Sequence, residues 1–206
     1  MPTRIVRASL SVIIGLSLAT AACSKGSSSP TPSTSGASST PSASGSAGAS
    51  IGTAFNGNGI SFDYPTSWQE FTLTGTTAQS GSSLWNETVG LDPLNFVSVA
   101  GYTVNVAITS DNIGDQKAGL AKQIRGLFAQ AGGTMTGGPT EGTMAGFPSL
   151  EFTGTAKNPD GATVNSRLVL AFDGTNEYFV NCQYDDTGQT DVLAGCEQIV
   201  STFAVG

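Results

Sequence analysis

Apolar residues fall into three regimes along this chain. Leu10 to Leu18 is a short apolar run, residues 24–50 hold almost nothing that can be buried, and from Ile51 onward apolar and polar positions interleave. Gly57-Asn58-Gly59 reads as a turn, and Ile60 to Tyr64 alternates as a strand does until Pro65 ends it. Leu84–Val89 and Phe96–Ile108 carry further strand signals, with Asp92-Pro93 as the turn between them. In the second of these, Val104, Val106 and Ile108 share a face.

The period then changes. Leu120, Ile124, Leu127, Phe128 and Ala131 fall at helical spacing, which predicts a helix over 112–131 capped by Ser110 or Asp111 and closed by Gly132-Gly133. Gly119 and Gly126 each cost that helix about 1 kcal/mol relative to Ala, and close approach to a sheet is the expected return. An antiparallel meander follows. Pro148–Lys157 turns at Asn158-Pro159-Asp160-Gly161 into Ala162–Phe172, which turns at Asp173-Gly174-Thr175-Asn176 into Glu177–Tyr184. A last helix near 190–202 places Val192, Cys196, Ile199 and Phe203 on one face. The predicted fold class is α+β, an antiparallel sheet with helices packed on it, formed by a single globular unit over residues 51–206.

The first fifty residues have another purpose. Arg4 and Arg7 precede the apolar run, and Ala19-Thr20-Ala21-Ala22 leads to Cys23, so residues 1–22 read as a signal peptide. The run is too short for a mature membrane span, which needs about 20 residues. Ala21-Ala22-Cys23 resembles the lipobox of bacterial lipoproteins, although Thr20 stands where Leu is usual. That resemblance implies a lipid anchor on Cys23. The rival is an ordinary cleavage after Ala21 that releases a soluble protein. Residues 24–50 contain 12 Ser, the remainder being Thr, Pro, Gly and Ala apart from Lys25. Such a segment buries no apolar surface to offset its ordering entropy, so a disordered tether spanning about 30 Å is expected, one that permits glycosylation.

Charge and cysteine content narrow the function classes. From Cys23 onward 6 basic residues face 15 acidic ones, a net −9, which repels phosphate backbones and anionic lipid alike. Nucleic acid is therefore not an expected partner, and membrane contact falls to the covalent anchor. The chain has no His, which excludes Ser-His-Asp triads and nearly all catalytic zinc sites. With Cys23 assigned to lipid, Cys182 and Cys196 remain as a pair in an exported, oxidising context, where disulfides persist. Tyr178, Val180 and Tyr184 share the Cys182 face of their strand, and Cys196 lies on the apolar face of the following helix. A Cys182–Cys196 bridge stapling helix to sheet is expected.

Ile60-Ser61-Phe62-Asp63-Tyr64-Pro65 followed by Trp68 resembles the opening strand of Mog/PsbP-like domains. Gly146-Phe147-Pro148 and the closing Cys196–Phe203 run are similar too, and together they look most like the LpqN-type lipoproteins of actinobacteria. The resemblance spans about residues 58–205 and implies an α/β/α sandwich with an extracytoplasmic accessory role. It carries no catalytic residue.

Four groups of residues invite a chemical reading. Ser110-Asp111-Asn112 matches the S-D-N triplet of penicillin-recognising enzymes, but S-x-x-K and K-T-G are absent and a helix cap explains it. Asp185, Asp186 and Asp191 gather carboxylates in one stretch without the spacing of a calcium loop, and Asp191 suits the last helix as a cap. Lys122 and Arg125 lie opposite the apolar face of the long helix, as a partner site or a solvated face. Trp68, Trp85 and Tyr64 line a cleft or fill the core. The expected function is a membrane-anchored cell-envelope lipoprotein on the extracytoplasmic face, a non-enzymatic binding or accessory module engaging an envelope protein. The alternative is a carrier of a small apolar or glycolipid ligand. No cofactor, metal site or catalytic residue is expected, and the ligand-binding residues are undefined.

Overall fold

A computed structural model describes residues 52–72, 83–158 and 160–206. The expected signal peptide, Cys23 and the expected tether lie outside the described residues, as does Pro159.

Eleven elements follow one another among the described residues: β1 (Gly52–Gly57), β2 (Ile60–Pro65), β3 (Gln69–Glu70), β4 (Trp85–Asp92), β5 (Asn95–Ile108), α1 (Ile113–Gln130), β6 (Met135–Met144), β7 (Phe147–Lys157), β8 (Thr163–Tyr184), α2 (Gln189–Thr202) and β9 (Ala204–Val205). The strands form a six-stranded sheet in the order β3-β4-β5-β8-β7-β6 and a three-stranded sheet in the order β1-β2-β9. All pairings are antiparallel. The fold is α+β, as the alternation and helical spacing predict.

β8 is extended over 22 residues but is not straight. Ser166 Oγ donates to Asn181 Oδ1 across 15 residues of chain, which fully extended would span about 50 Å. The strand therefore folds back near Asp173-Gly174, where Gly174 has φ +61°. Its first limb pairs with β7 and its second with β5. This is the reversal predicted at Asp173–Asn176, drawn so tight that no break in the extended backbone marks it.

Strand alternation gives the large sheet two buried faces. On one, Ala100, Tyr102 and Val104 of β5, Leu150 and Phe152 of β7, and Leu168, Leu170 and Phe172 of β8 meet Leu120, Ile124 and Phe128 of α1. On the other, Val97 and Val99 of β5, Val169, Val180 and Cys182 of β8, and Ile60, Phe62 and Tyr64 of β2 meet Val192, Cys196 and Ile199 of α2. Burial of each such large apolar side chain stabilises the fold by about 1.5–3 kcal/mol. Helix α1 lies over β6 and β7, and α2 lies over β2, β5 and β8. The layers are thus α1, the large sheet, and a third layer made of α2 with the small sheet.

Several sequence expectations need correction. The helix N-cap is Asn112, not Ser110 or Asp111, and it makes no capping bond. Its side chain instead accepts from Thr109 N at 2.8 Å and donates to Ala107 O at 2.9 Å, closing the turn out of β5. Asp191 does not cap α2 either; it sits in the first turn behind Gly188. Gly119 and Gly126 approach nothing, since a Cβ at either would meet open space. The helical glycine held by close approach is Gly195 in α2, where a Cβ would run into the Trp68 ring.

Candidate functional site

Cys182 and Cys196 are bonded, with Cα atoms 6.0 Å apart and both residues fully buried. Tyr178 and Val180 share the Cys182 face and join the same core, with Tyr184 packed against it. Beside the bridge, Arg167 of β8 reaches across two elements. Its guanidinium donates to Glu151 Oε2 of β7 at 2.7 Å and to Glu197 Oε1 of α2, and lies 3.7 Å from Cys196 Sγ. The Glu151 hydrogen bond outweighs partial burial and holds the guanidinium firmly charged. Helix α2 is therefore fastened to the sheet twice, by a covalent bond and by an ion pair.

The opposite face carries a polar row through its core. Thr88, Ser98 and Asn181 stand in register on β4, β5 and β8, and Ser166 continues the row on the other limb of β8. All four are buried. Ser98 Oγ donates to Asn86 Oδ1 at 2.8 Å, and Ser166 Oγ donates to Asn181 Oδ1, so both serine hydroxyls are engaged with amides rather than with a base. Further along the same face Glu177 stands opposite Tyr102. Glu177 is 1 % exposed, its Oε2 has no partner among the described residues, and burial pushes its carboxyl up to about 8, which favours the protonated form at neutral pH. Burial, with the Glu177 charge second, raises the Tyr102 hydroxyl to about 12. Gln123 Oε1 of α1 is the other buried side-chain oxygen without a partner among the described residues. Lys117 ties α1 to Glu141 of β6.

The residues singled out from sequence are dispersed. Trp68 and Tyr64 are core residues at 5 % exposure each, Trp85 packs against the same cluster, and Tyr64 Oη donates to Glu70 Oε1 at 2.9 Å. Asp185 Oδ1 is saturated by Thr187 N, Thr187 Oγ1 and Gly188 N, which shape the turn into α2. Those hydrogen bonds hold its carboxyl below the usual range. No group of three metal-competent side chains occurs among the described residues. Lys122 and Arg125 are exposed on α1. Sequence reasoning missed Glu177, Arg167 and the polar row. Glu177 follows Asp173–Asn176, so it reads as the polar end of a turn; only its alternation with Phe179 and Asn181 hints that it faces inward.

No family model matches the chain, and no curated protein is significantly similar to it in sequence. Its fold does match solved structures. Cyanobacterial PsbP (CyanoP) from Synechocystis sp. PCC 6803 superposes with a TM-score of 0.54 at 13% identity, covering 79% of this chain and 96% of that one. A protein of Bacteroides thetaiotaomicron gives a TM-score of 0.50 at 13% identity over 75% of this chain, a match that spans 48% of that longer chain. LpqN, involved in cell envelope biogenesis of Mycobacterium tuberculosis, gives 0.42 at 11% identity. At these identities the likeness concerns the fold, and the chain has a fold like that of cyanobacterial PsbP.

Proposed function

We propose that this chain is a lipid-anchored module of the bacterial cell envelope, held on the extracytoplasmic face through Cys23, that acts by binding a protein partner rather than by catalysis. The observation that carries the reading is the fully buried Cys182–Cys196 bridge, because such bonds persist where the compartment is oxidising. The lipobox-like Ala21-Ala22-Cys23 supplies the address. Among the described residues no helix is long and apolar enough to cross a membrane. Non-catalytic action accords with Ser98 and Ser166 being engaged by amides and with a chain that has no His.

The test is fractionation of cells expressing Cys23→Ala. The variant is expected in the medium or soluble extract while the parent stays with the membrane. Equal retention of both would overturn the anchor.

A second reading, a carrier of a small apolar or glycolipid ligand, draws on the unpartnered Glu177 Oε2 and Gln123 Oε1 in the helix–sheet layer. Each is a buried oxygen that could hydrogen-bond a hydroxyl on an otherwise apolar molecule. Native mass spectrometry of protein taken from its own membrane distinguishes the readings. Retained lipid favours the carrier, and a retained polypeptide favours the binding module.

A further inference from the structure

A sheet edge exposes unpaired backbone N–H and C=O groups, and proteins blunt such edges with short strands, charge, proline or bulges. Three of the four outermost strands among the described residues are guarded in that way. β3 is two residues long and includes Glu70. β6 carries Pro139 and Glu141, and its register shifts on both sides of Gly137. β9 is two residues long. β1 is different: six residues, GTAFNG, with no charge and no proline, in unbroken register with β2.

The hairpin decides which β1 groups are free. Asn58 and Gly59, with φ of 55° and 74°, form its two-residue loop, so Gly57 and Ile60 are a hydrogen-bonded pair. Alternation then turns the backbone groups of Phe55 and Thr53 toward β2, and those of Ala54 and Asn56 away from it. Neither residue has another backbone partner among the described residues. At the midpoint between them, the Phe55 side chain stacks on Phe62 with ring centroids 4.8 Å apart. Phe55 is only half-buried at the rim of the α2-side core, where that core runs out.

We propose that β1 pairs antiparallel with β1 of a second copy of this chain, about a two-fold axis at Phe55. The inference deepens the binding-module reading by naming its partner, and it rests on that reading only for where two copies meet. The register follows from the free groups. Ala54 exchanges both hydrogen bonds with Asn56 of the second copy, Asn56 does the same with its Ala54, and the two Phe55 rings meet at the non-hydrogen-bonded position. Cα atoms there lie about 4.5 Å apart, close enough for an aromatic cross-strand pair. The strand is self-complementary about Phe55. It brings no charge into the ladder, so the acid excess of the domain does not oppose the contact locally. A partner recruited by charge would have no reason to choose this edge. Four hydrogen bonds and two rings make a weak contact in dilute solution. Two copies anchored to one surface through residues 24–51 would meet at an effective concentration in the millimolar range, where a weak contact suffices.

Cysteine cross-linking of the full chain in its membrane tests the register. Under mild oxidation Phe55→Cys is expected to give a disulfide dimer at least five-fold more abundant than Thr53→Cys, which falls opposite Gly57. Adding Ala54→Pro, which removes an outward N–H and leaves the β1–β2 ladder intact, should abolish the dimer without lowering the melting temperature by more than a few degrees. Equal linking at both positions, linking that survives the proline, or no dimer from anchored protein would overturn the pairing. A parallel arm separates this from the anchor. Cys23→Ala combined with Phe55→Cys, concentrated in solution to about 1 mM, should regain the same position-specific dimer, and its absence there overturns the pairing whether or not Cys23 carries lipid.

Discussion

Glu177 lies on the α1 face of the sheet with one carboxyl oxygen unpartnered and Tyr102 opposite it. Burial raises its carboxyl from 4.5 to about 8. The folded state therefore binds this proton more tightly than the unfolded chain does. The stability contributed is fully present below about 4.5 and is lost as pH rises toward 8. Glu177→Gln is expected to flatten the pH dependence and to raise the melting temperature by roughly 5 °C at pH 9, with little change near pH 4. Thermal melts across that range decide it, and parallel curves for parent and variant would contradict the assignment. Gly195 shows the same dependence on surroundings. Ala is the better helix former by about 1 kcal/mol, yet Gly195→Ala should lower the melting temperature, because the added carbon meets Trp68. Gly119→Ala and Gly126→Ala, facing open space on α1, should each raise stability by up to about 1 kcal/mol in denaturant titrations. The glycines look alike in sequence, and only their neighbours give them opposite signs.

Helix α2 is the element whose place depends most on individual bonds. Closing a loop of this size contributes about 3 kcal/mol through the Cys182–Cys196 bridge, so Cys182→Ala combined with Cys196→Ala should lower the melting temperature by roughly 5–10 °C. Thiol titration of the unreduced, denatured parent should find neither cysteine; two reactive thiols from this pair would refute the bridge. Arg167 supplies a second fastening, through Glu197 to α2 and Glu151 to β7. Among elements, those with a clear period were legible in advance. Helices predicted at 112–131 and 190–202 span Ile113–Gln130 and Gln189–Thr202, and the strand from Phe96 begins at Asn95. β6 was not legible. Its residues, MTGGPTEGTM, combine glycine and proline in a pattern that reads as loop, and the strand exists because β7 offers it an edge to pair with. β1 and β9 were hidden for the same reason: their strand character comes from pairing to β2, not from alternation of their own.

The surface of the whole molecule carries more carboxylates than cations. Twelve of the fifteen acidic residues remain once the buried Glu177 and the Arg167-bound Glu151 and Glu197 are set aside, while the exposed cations Lys122 and Arg125 lie together on α1. The tether expected over residues 24–50 lacks anything to pack against this body. Limited proteolysis of unglycosylated protein should trim the chain to near residue 50 and spare the domain, and cleavage inside the sheet at equal rate would count against one stable unit.

The sequence by itself determined the α+β class, both helices, the meander turns and the cysteine pair. Each of these depends on composition or on a local period: the cysteine count, 3.6-residue spacing, alternation between turn residues. Tertiary structure alone decided which glycines are crowded, that Trp68 and Tyr64 belong to the core, that Arg167 bridges β7 and α2, and that Glu177 is buried, which pushes its carboxyl up. It also decided that, among the described residues, no strand pairs with the outer edge of β1. These depend on which distant segments meet across the sheet, and a residue's own type and its nearest neighbours in the chain carry no record of that.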